Sequence, residues 1–253
     1  MARLSVNLNK IALLRNSRRT GVPDVLRFAR LVHDAGAHGI TVHPRPDERH
    51  IRRADVPALA ALIAPWRPGF EFNIEGYPDP AFLDLVATVA PEQVTLVPDA
   101  PGVLTSEEGW RLGAAEIAAM RSVVDRLHAQ RSRVILFIDP DPAAVAPVAE
   151  TGADGVEIYT GGYAAAFRAG QPAALRDACA ATAAAAAQRG LAVNIGHDLN
   201  LDNLPPLLAA LPPVAEASIG HELTADALLM GWSAAVAAYR KMLTSQVSPG
   251  HPA

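Results

Sequence analysis

Three histidines stand where short apolar runs end. His43 closes Gly39-Ile-Thr-Val-His43, His197 follows Val193-Asn-Ile-Gly196, and His221 follows Ala217-Ser-Ile-Gly220. Two carboxylates occupy similar places: Glu75 ends the alternating run Phe70-Glu-Phe-Asn-Ile-Glu75, and Glu157 sits within Gly155-Val-Glu-Ile158. A polar side chain at the end of an apolar strand is costly unless it is paired or used. Buried carboxyls are raised toward neutral pH, which suits them to general acid–base work alongside imidazoles. Cations accompany these groups. Arg45 and His50 follow His43 in one loop, and Lys10 and Arg18 follow Asn7-Leu8-Asn9. Guanidinium groups match phosphate oxygens in pairs, and Gly220 before a helix start lets backbone N–H groups approach an anion. The chemistry implied is proton transfer on anionic substrates, with two separated cationic groups for two anionic ends. Arg49, Arg52 and Arg53 read as a solvated face.

These residues are scattered from Asn7 to His221, so the fold must gather distant strand ends at one place. Short apolar runs, alternating most strictly over 70–75, predict strands over 4–7, 39–42, 70–74, 93–97, 133–138, 155–158, 191–195 and 217–219. Helical patterns fall between them, over 24–35, 54–64, 80–89, 107–129, 143–150, 172–189, 203–211 and 224–243. Eight strand–helix pairs match a (β/α)8 TIM barrel, an α/β fold whose sites lie at the C-terminal ends of the strands. A doubly wound sheet is the alternative, but no Gly-x-Gly-x-x-Gly follows the first strand. No linker interrupts the pattern, so residues 1–245 are expected to form one barrel domain and 246–253 a disordered tail. On the third strand Glu71, Asn73 and Glu75 point inward. Glu71 reads as salt-bridged and Glu75, at the rim, as functional. The long connection from Pro98 to Gly109 is of the length that often serves as a lid.

Composition narrows the classes. A net charge of −4 argues against a nucleic-acid coat. A single cysteine, Cys179, excludes a disulfide framework within the chain. The first residues have no apolar signal region, and no apolar run is long enough to span a bilayer, so a cytoplasmic protein without membrane partners is expected. No metal signature is present: Asn7-Leu8-Asn9 stands where many metal-dependent barrel hydrolases have His-x-His.

Together these pieces resemble the family of pyridoxine 5′-phosphate synthases of the deoxyxylulose-dependent vitamin B6 route. The matching segments are Val6–Arg18, Gly39–Ile51, Asn73-Ile-Glu75, Leu96-Val-Pro98 with Thr105, Leu136-Phe-Ile-Asp139, Glu157–Gly161 with Tyr163, Val193–His197 and Ile219-Gly-His221. The resemblance implies a (β/α)8 barrel that condenses 1-deoxy-D-xylulose 5-phosphate with 3-amino-2-oxopropyl phosphate. The products are pyridoxine 5′-phosphate, phosphate and water. It implies His43 and Glu75 as proton acceptors, His197 as proton donor and Glu157 as stabiliser of the transition state. It places Arg45, His50 and Thr105 on the deoxyxylulose phosphate, and Asn7, Arg18, Asp198, Gly220 and His221 on the amino-ketone phosphate. Asn9-Lys10 stands where many members carry Asp-His, with Lys10 keeping a cation available, and Asp198 stands where glycine is frequent. The partners implied are two small phosphorylated substrates and further copies of the chain, as a homo-octamer, with no metal or organic cofactor. The alternatives are a phosphosugar isomerase or aldolase on the same barrel, or a non-catalytic phospho-ligand-binding barrel.

Overall fold

A computed structural model of the chain describes residues 1–99 and 108–244. Its strands are β1 (Arg3–Asn7), β2 (Gly39–Val42), β3 (Glu71–Gly76), β4 (Gln93–Leu96), β5 (Arg133–Ile138), β6 (Gly155–Tyr159), β7 (Ala192–Gly196) and β8 (Glu216–Ile219). Each pairs in parallel with its sequence neighbour, and β8 closes on β1, so the expected (β/α)8 barrel is the fold observed. Parity decides which side chains face where. Val6, Ile40, Phe72, Val94, Leu136, Ile158, Ile195 and Ile219 are buried between sheet and helices. Each contributes roughly 2 kcal/mol on burial, so this outer shell carries most of the apolar stabilisation.

The opposite parity fills the barrel largely with polar groups that satisfy one another, as burial demands. Thr41 Oγ1 lies 2.7 Å from Ser5 Oγ and accepts from Asn73 at 3.3 Å, while Thr95 donates to Asn73 Oδ1 at 3.2 Å. At the closed end Glu71 is held by Arg3 at 3.0 Å and Arg133 at 2.8 Å, the salt bridge expected of it. The interior is therefore rigid and hydrogen-bonded, and the open C-terminal end is left for chemistry.

The helices are α1 (Asn9–Asn16), α2 (Val25–Asp34), α3 (Asp55–Ile63), α4 (Pro80–Val89), α5 (Ala114–His128), α6 (Val145–Thr151), α7 (Gly161–Arg168), α8 (Ala173–Gln188), α9 (Leu204–Ala210), α10 (His221–Met230) and α11 (Trp232–Thr244). Asp24 and Asp79 cap α2 and α4 by accepting from Leu26 N and Phe82 N. Three features differ from the sequence expectation. Residues 9–16 and 161–168 are short helices rather than loop and turn. The final helix is broken at Gly231, whose φ of +85° ends α10 before α11 begins. The fourth helix starts only at Ala114, because Gly109 N bonds Asp139 Oδ1 at 3.0 Å and Trp110 N bonds Phe137 O at 2.9 Å. Those bonds tie the preceding residues to the end of β5. Most of the expected lid, Thr105 within it, and the tail 246–253 lie outside the described residues. No helix among the described residues is long and apolar enough to cross a membrane.

Candidate active site

The inward parity of β1, β2 and β3 brings Asn7, His43 and Glu75 together at the open end. Asn7 Nδ2 donates to Glu75 Oε2 at 3.4 Å, and His43 Nδ1 stands 3.9 Å from the same oxygen. Asn9 fixes the backbone of this group: its Oδ1 accepts from His43 N at 3.0 Å, and its own N–H donates to Asn7 Oδ1 at 2.9 Å. A cavity of about 350 Å³ opens on the β2–β3 side, lined by His43, Arg45, Arg49, Tyr77, Phe82 and Asp99.

Burial sets the proton affinities. It pushes the Glu75 carboxyl up to about 7, helped by the negative charge of Asp99 and opposed by Arg45. His43 is held well below the usual imidazole range by burial first and by Arg45 second. A neutral imidazole therefore lies beside a carboxyl that is half-protonated near neutral pH, an acid–base pair with complementary states.

The loop after β2 carries His50 and Arg45. Burial, Arg45 and Lys10 bring His50 down to about 4. Ile51 N donates to His50 Nδ1 at 2.9 Å, so that nitrogen is the acceptor and the neutral ring carries its proton on Nε2. The loop itself is held from α1. Asn16 Nδ2 reaches the carbonyls of Glu48, Arg49 and His50 at 3.2, 3.1 and 2.8 Å. Arg15 donates to His50 O at 3.0 Å and pairs with Asp55 at 2.7 Å. Arg45 ion-pairs with Asp99.

Across the mouth, Glu157 is buried on β6 and raised well above the carboxylate range by burial, with Glu75 and Glu216 adding to the effect. Its Oε2 has no hydrogen-bond partner among the described residues. It lies against Gly196, where a Cβ would stand 2.3 Å from Glu157 Oε1. His197 follows at φ +78° and Asp198 at φ +56°. Two left-handed non-glycine residues in succession cost about 1 kcal/mol each, and the loop is pinned against that cost. Thr160 Oγ1 donates to His197 O at 2.6 Å and Asn203 Nδ2 to Asp198 O at 3.0 Å. The His197 ring meets Tyr159 and Phe137 edge to face at centroid distances of 5.3 and 5.6 Å, and burial lowers its proton affinity. Gly220 packs on Asn7, its missing Cβ leaving 3.0 Å to the Asn7 Cβ, and His221 begins α10. Arg18 projects into solvent beyond α1. It follows a helix, not a strand end. Among the described residues no group of three His, Cys, Asp or Glu side chains is placed to hold a metal ion.

The family model described as pyridoxal phosphate biosynthesis protein PdxJ matches residues 4–245. The chain belongs to the PdxJ family. Among its relatives, the pyridoxine 5′-phosphate synthase of Albidiferax ferrireducens is 50% identical over 246 residues, covering 95% of this chain and 97% of that one. The protein of the same name from Porphyromonas gingivalis is 49% identical over 243 residues, covering 96% and 99%. Solved structures at low identity share the fold alone. Thiamine phosphate pyrophosphorylase from Pyrococcus furiosus superposes with a TM-score of 0.61 at 12% identity, covering 98% of this chain and 97% of that one. Phosphoribosyl anthranilate isomerase from Thermotoga maritima gives 0.58 at 13%, covering 97% and 100%.

Two departures from the common PdxJ pattern acquire a physical reading. Asn9 accepts from His43 N as an aspartate would, without adding a negative charge beside the imidazole. The φ of +56° at Asp198 is the conformation that favours glycine, which is why glycine suits the position. Lys10, in the first turn of α1, contributes to the lowering of both His50 and His197, so its charge reaches the mouth. Sequence reasoning overlooked Asp99, Glu216 and the Arg15–Asn16 pair. Asp99 shares the inward parity of Gln93 and Thr95 just past β4, which was a usable signal. Glu216 precedes the apolar run of β8 and reveals itself only through the register Arg3–Glu216.

Proposed function

We propose that this chain condenses 1-deoxy-D-xylulose 5-phosphate with 3-amino-2-oxopropyl phosphate to give pyridoxine 5′-phosphate, phosphate and water. The observation that carries the reading is the convergence of His43 and Glu75, 3.9 Å apart, with the carboxyl near 7 and the imidazole neutral. Joining an amine to a ketone, losing water and phosphate and closing an aromatic ring takes proton transfers at several atoms, and so several groups with separated proton affinities. His43 and Glu75 accept protons. His197 donates; it starts neutral and gains its proton once phosphate dianions lie beside it, since a nearby anion favours the imidazolium. Glu157, protonated in its buried place, stabilises charge in the transition state. Arg45, His50 and Thr105 hold the deoxyxylulose phosphate. Asn7, Arg18, Asp198, Gly220 and His221 hold the other, and Asn9 and Lys10 also belong to the substrate-binding set. Holding both substrates in one mouth removes much of the entropic barrier to their union.

The chain works in the cytoplasm as a homo-octamer in this reading. In support, Leu13 and Leu14 on α1 and Leu228 and Leu229 on α10 are 43%, 53%, 77% and 89% exposed on helices that touch each other. Apolar patches of that kind mark surfaces that other chains cover. The test of function mixes both substrates with the protein and follows the absorbance of the pyridoxine phosphate ring. Product above the enzyme-free control is expected, and its absence with folded protein refutes the reading.

A further inference from the structure

Asp99 has no role in the assignment above, yet it holds the residue that the assignment needs. Arg45 and Asp99 form an ion pair whose side chains are 8% and 4% exposed, and both line the cavity beside His43. A buried guanidinium aimed at an arriving anion needs a counter-charge and a fixed geometry beforehand. We propose that Asp99 is a positioning residue for this reaction, its carboxylate holding the Arg45 guanidinium in the cavity wall where the deoxyxylulose phosphate docks. The inference rests on the condensation reading for the identity of that phosphate.

The charges around Glu75 supply a second handle. It is faced by His43 just past β2, Arg45 in the loop that follows, Glu157 on β6 and Asp99 beyond β4, with the uncharged Asn7 on β1. After burial, Asp99 is what most favours protonated Glu75, and Arg45 opposes it. Removing the Asp99 charge leaves Arg45 unopposed, which moves the titration of Glu75 downward.

The experiment measures binding of deoxyxylulose phosphate by calorimetry to the whole protein, in Asp99→Asn and Asp99→Glu, each with Arg45 and with Arg45→Met. Binding is read without turnover, so a protein that binds and makes no pyridoxine phosphate refutes the proposed function and leaves this test intact. Asp99→Asn is expected to weaken binding roughly tenfold when Arg45 is present, as loss of a charge-assisted contact predicts, and to change nothing further in Arg45→Met. Asp99→Glu, which keeps the charge at longer reach, loses about threefold with Arg45 and nothing without it. In the rate profile the acidic limb near pH 7 moves downward in Asp99→Asn and stays in place in Asp99→Glu. Unchanged binding, losses of equal size in both Arg45 backgrounds, or an unmoved limb in Asp99→Asn overturns the proposal. Should Asp99→Asn fail to fold, the Asp99→Glu pair alone decides, because only coupling through Arg45 makes its loss depend on Arg45.

Discussion

Gly196→Ala tests the site through a single methyl group. The backbone at Gly196 is not left-handed, so alanine meets no conformational penalty there. What it meets is Glu157: the added Cβ stands 2.3 Å from Oε1 and 3.3 Å from Cδ, with Ser218 O also at 3.3 Å. Ordinary contact begins at 3.4 Å, so the carboxyl must withdraw by about 1 Å while the Ser218 carbonyl hardly moves. If Glu157 acts in the transition state as proposed, a shift of about 1 Å costs about 100-fold in rate, or about 2.7 kcal/mol of barrier. The stability cost is smaller, about 1 kcal/mol, because the crowded atom is the end of a side chain. Steady-state kinetics should show kcat reduced about 100-fold with KM little changed, and thermal unfolding should show a fall of only a few degrees. In Glu157→Ala the same methyl meets only the Ser218 carbonyl at 3.3 Å, which hardly has to move, so adding Gly196→Ala should change kcat no further. If Gly196→Ala keeps more than about a third of the wild-type kcat, or lowers kcat as much without Glu157 as with it, Glu157 does not act from the place this structure gives it.

Glu75→Gln should retain phosphate binding, lose most turnover and abolish the acidic limb near pH 7, since the raised carboxyl is the group titrating there; a limb that survives assigns it elsewhere. Because His50 presents its proton on Nε2, His50→Gln, which places an amide N–H at that reach, should hold the KM for deoxyxylulose phosphate within about fivefold, while His50→Asn raises it more than about tenfold. Equal effects would refute the tautomer. Glu216, inside the barrel and bonded by Gln93 at 3.1 Å, is pushed up to about 8 by burial and by Glu71. Its folded proton affinity exceeds the unfolded one, so its contribution to stability is full below about pH 4.5 and is lost as pH rises through about 8. Glu216→Gln should therefore gain on the wild type in denaturant melts across that window and run parallel to it above; a pH-independent difference would overturn the assignment. Asn16→Ala leaves three loop carbonyls without their shared donor, costing roughly 2 kcal/mol and raising the KM for deoxyxylulose phosphate, with faster hydrogen exchange of the amides from Arg49 to Ile51 as the local readout.

The barrel was legible because eight short apolar runs, some alternating and some continuous like Val134–Ile138, are each followed by a helical pattern. Phe70–Glu75 alternates most plainly, and the parity that puts Phe72 and Ile74 outside puts Glu71, Asn73 and Glu75 inside. Element ends were less legible, because they are decided by tertiary bonds. Nothing local announces that Gly109 and Trp110 will bond the end of β5 and delay α5 to Ala114. The break at Gly231 was visible as a glycine but not as a left-handed turn. Of the site, the groups at strand ends could be read by position alone. His197 could not be placed by parity, because two left-handed residues carry the chain off the strand there. Asp99 and Asn16 act on other side chains and on loop carbonyls, contacts that arise only once β2, β4 and α1 are side by side.

The charges of the site make sense only together with those of the substrates it is proposed to bind. Burial keeps His43, His50 and His197 neutral; Arg45 adds to it at His43 and His50, while at His197 Asp198 and Asp99 oppose it more than Lys10 and Arg45 help. Each substrate phosphate brings up to about two negative charges, which reverses the balance: imidazoles near it gain affinity for protons, and so does Glu75. In the proposed reading His197, the donor, is thus charged by the arrival of the molecule it serves. The charge on Glu75 raises the cost of ionising Glu157, and because repulsion between two charges is mutual, a proton proposed to be accepted at Glu75 and one held on Glu157 belong to one shared titration. A change at either carboxyl must appear in the pH dependence of both.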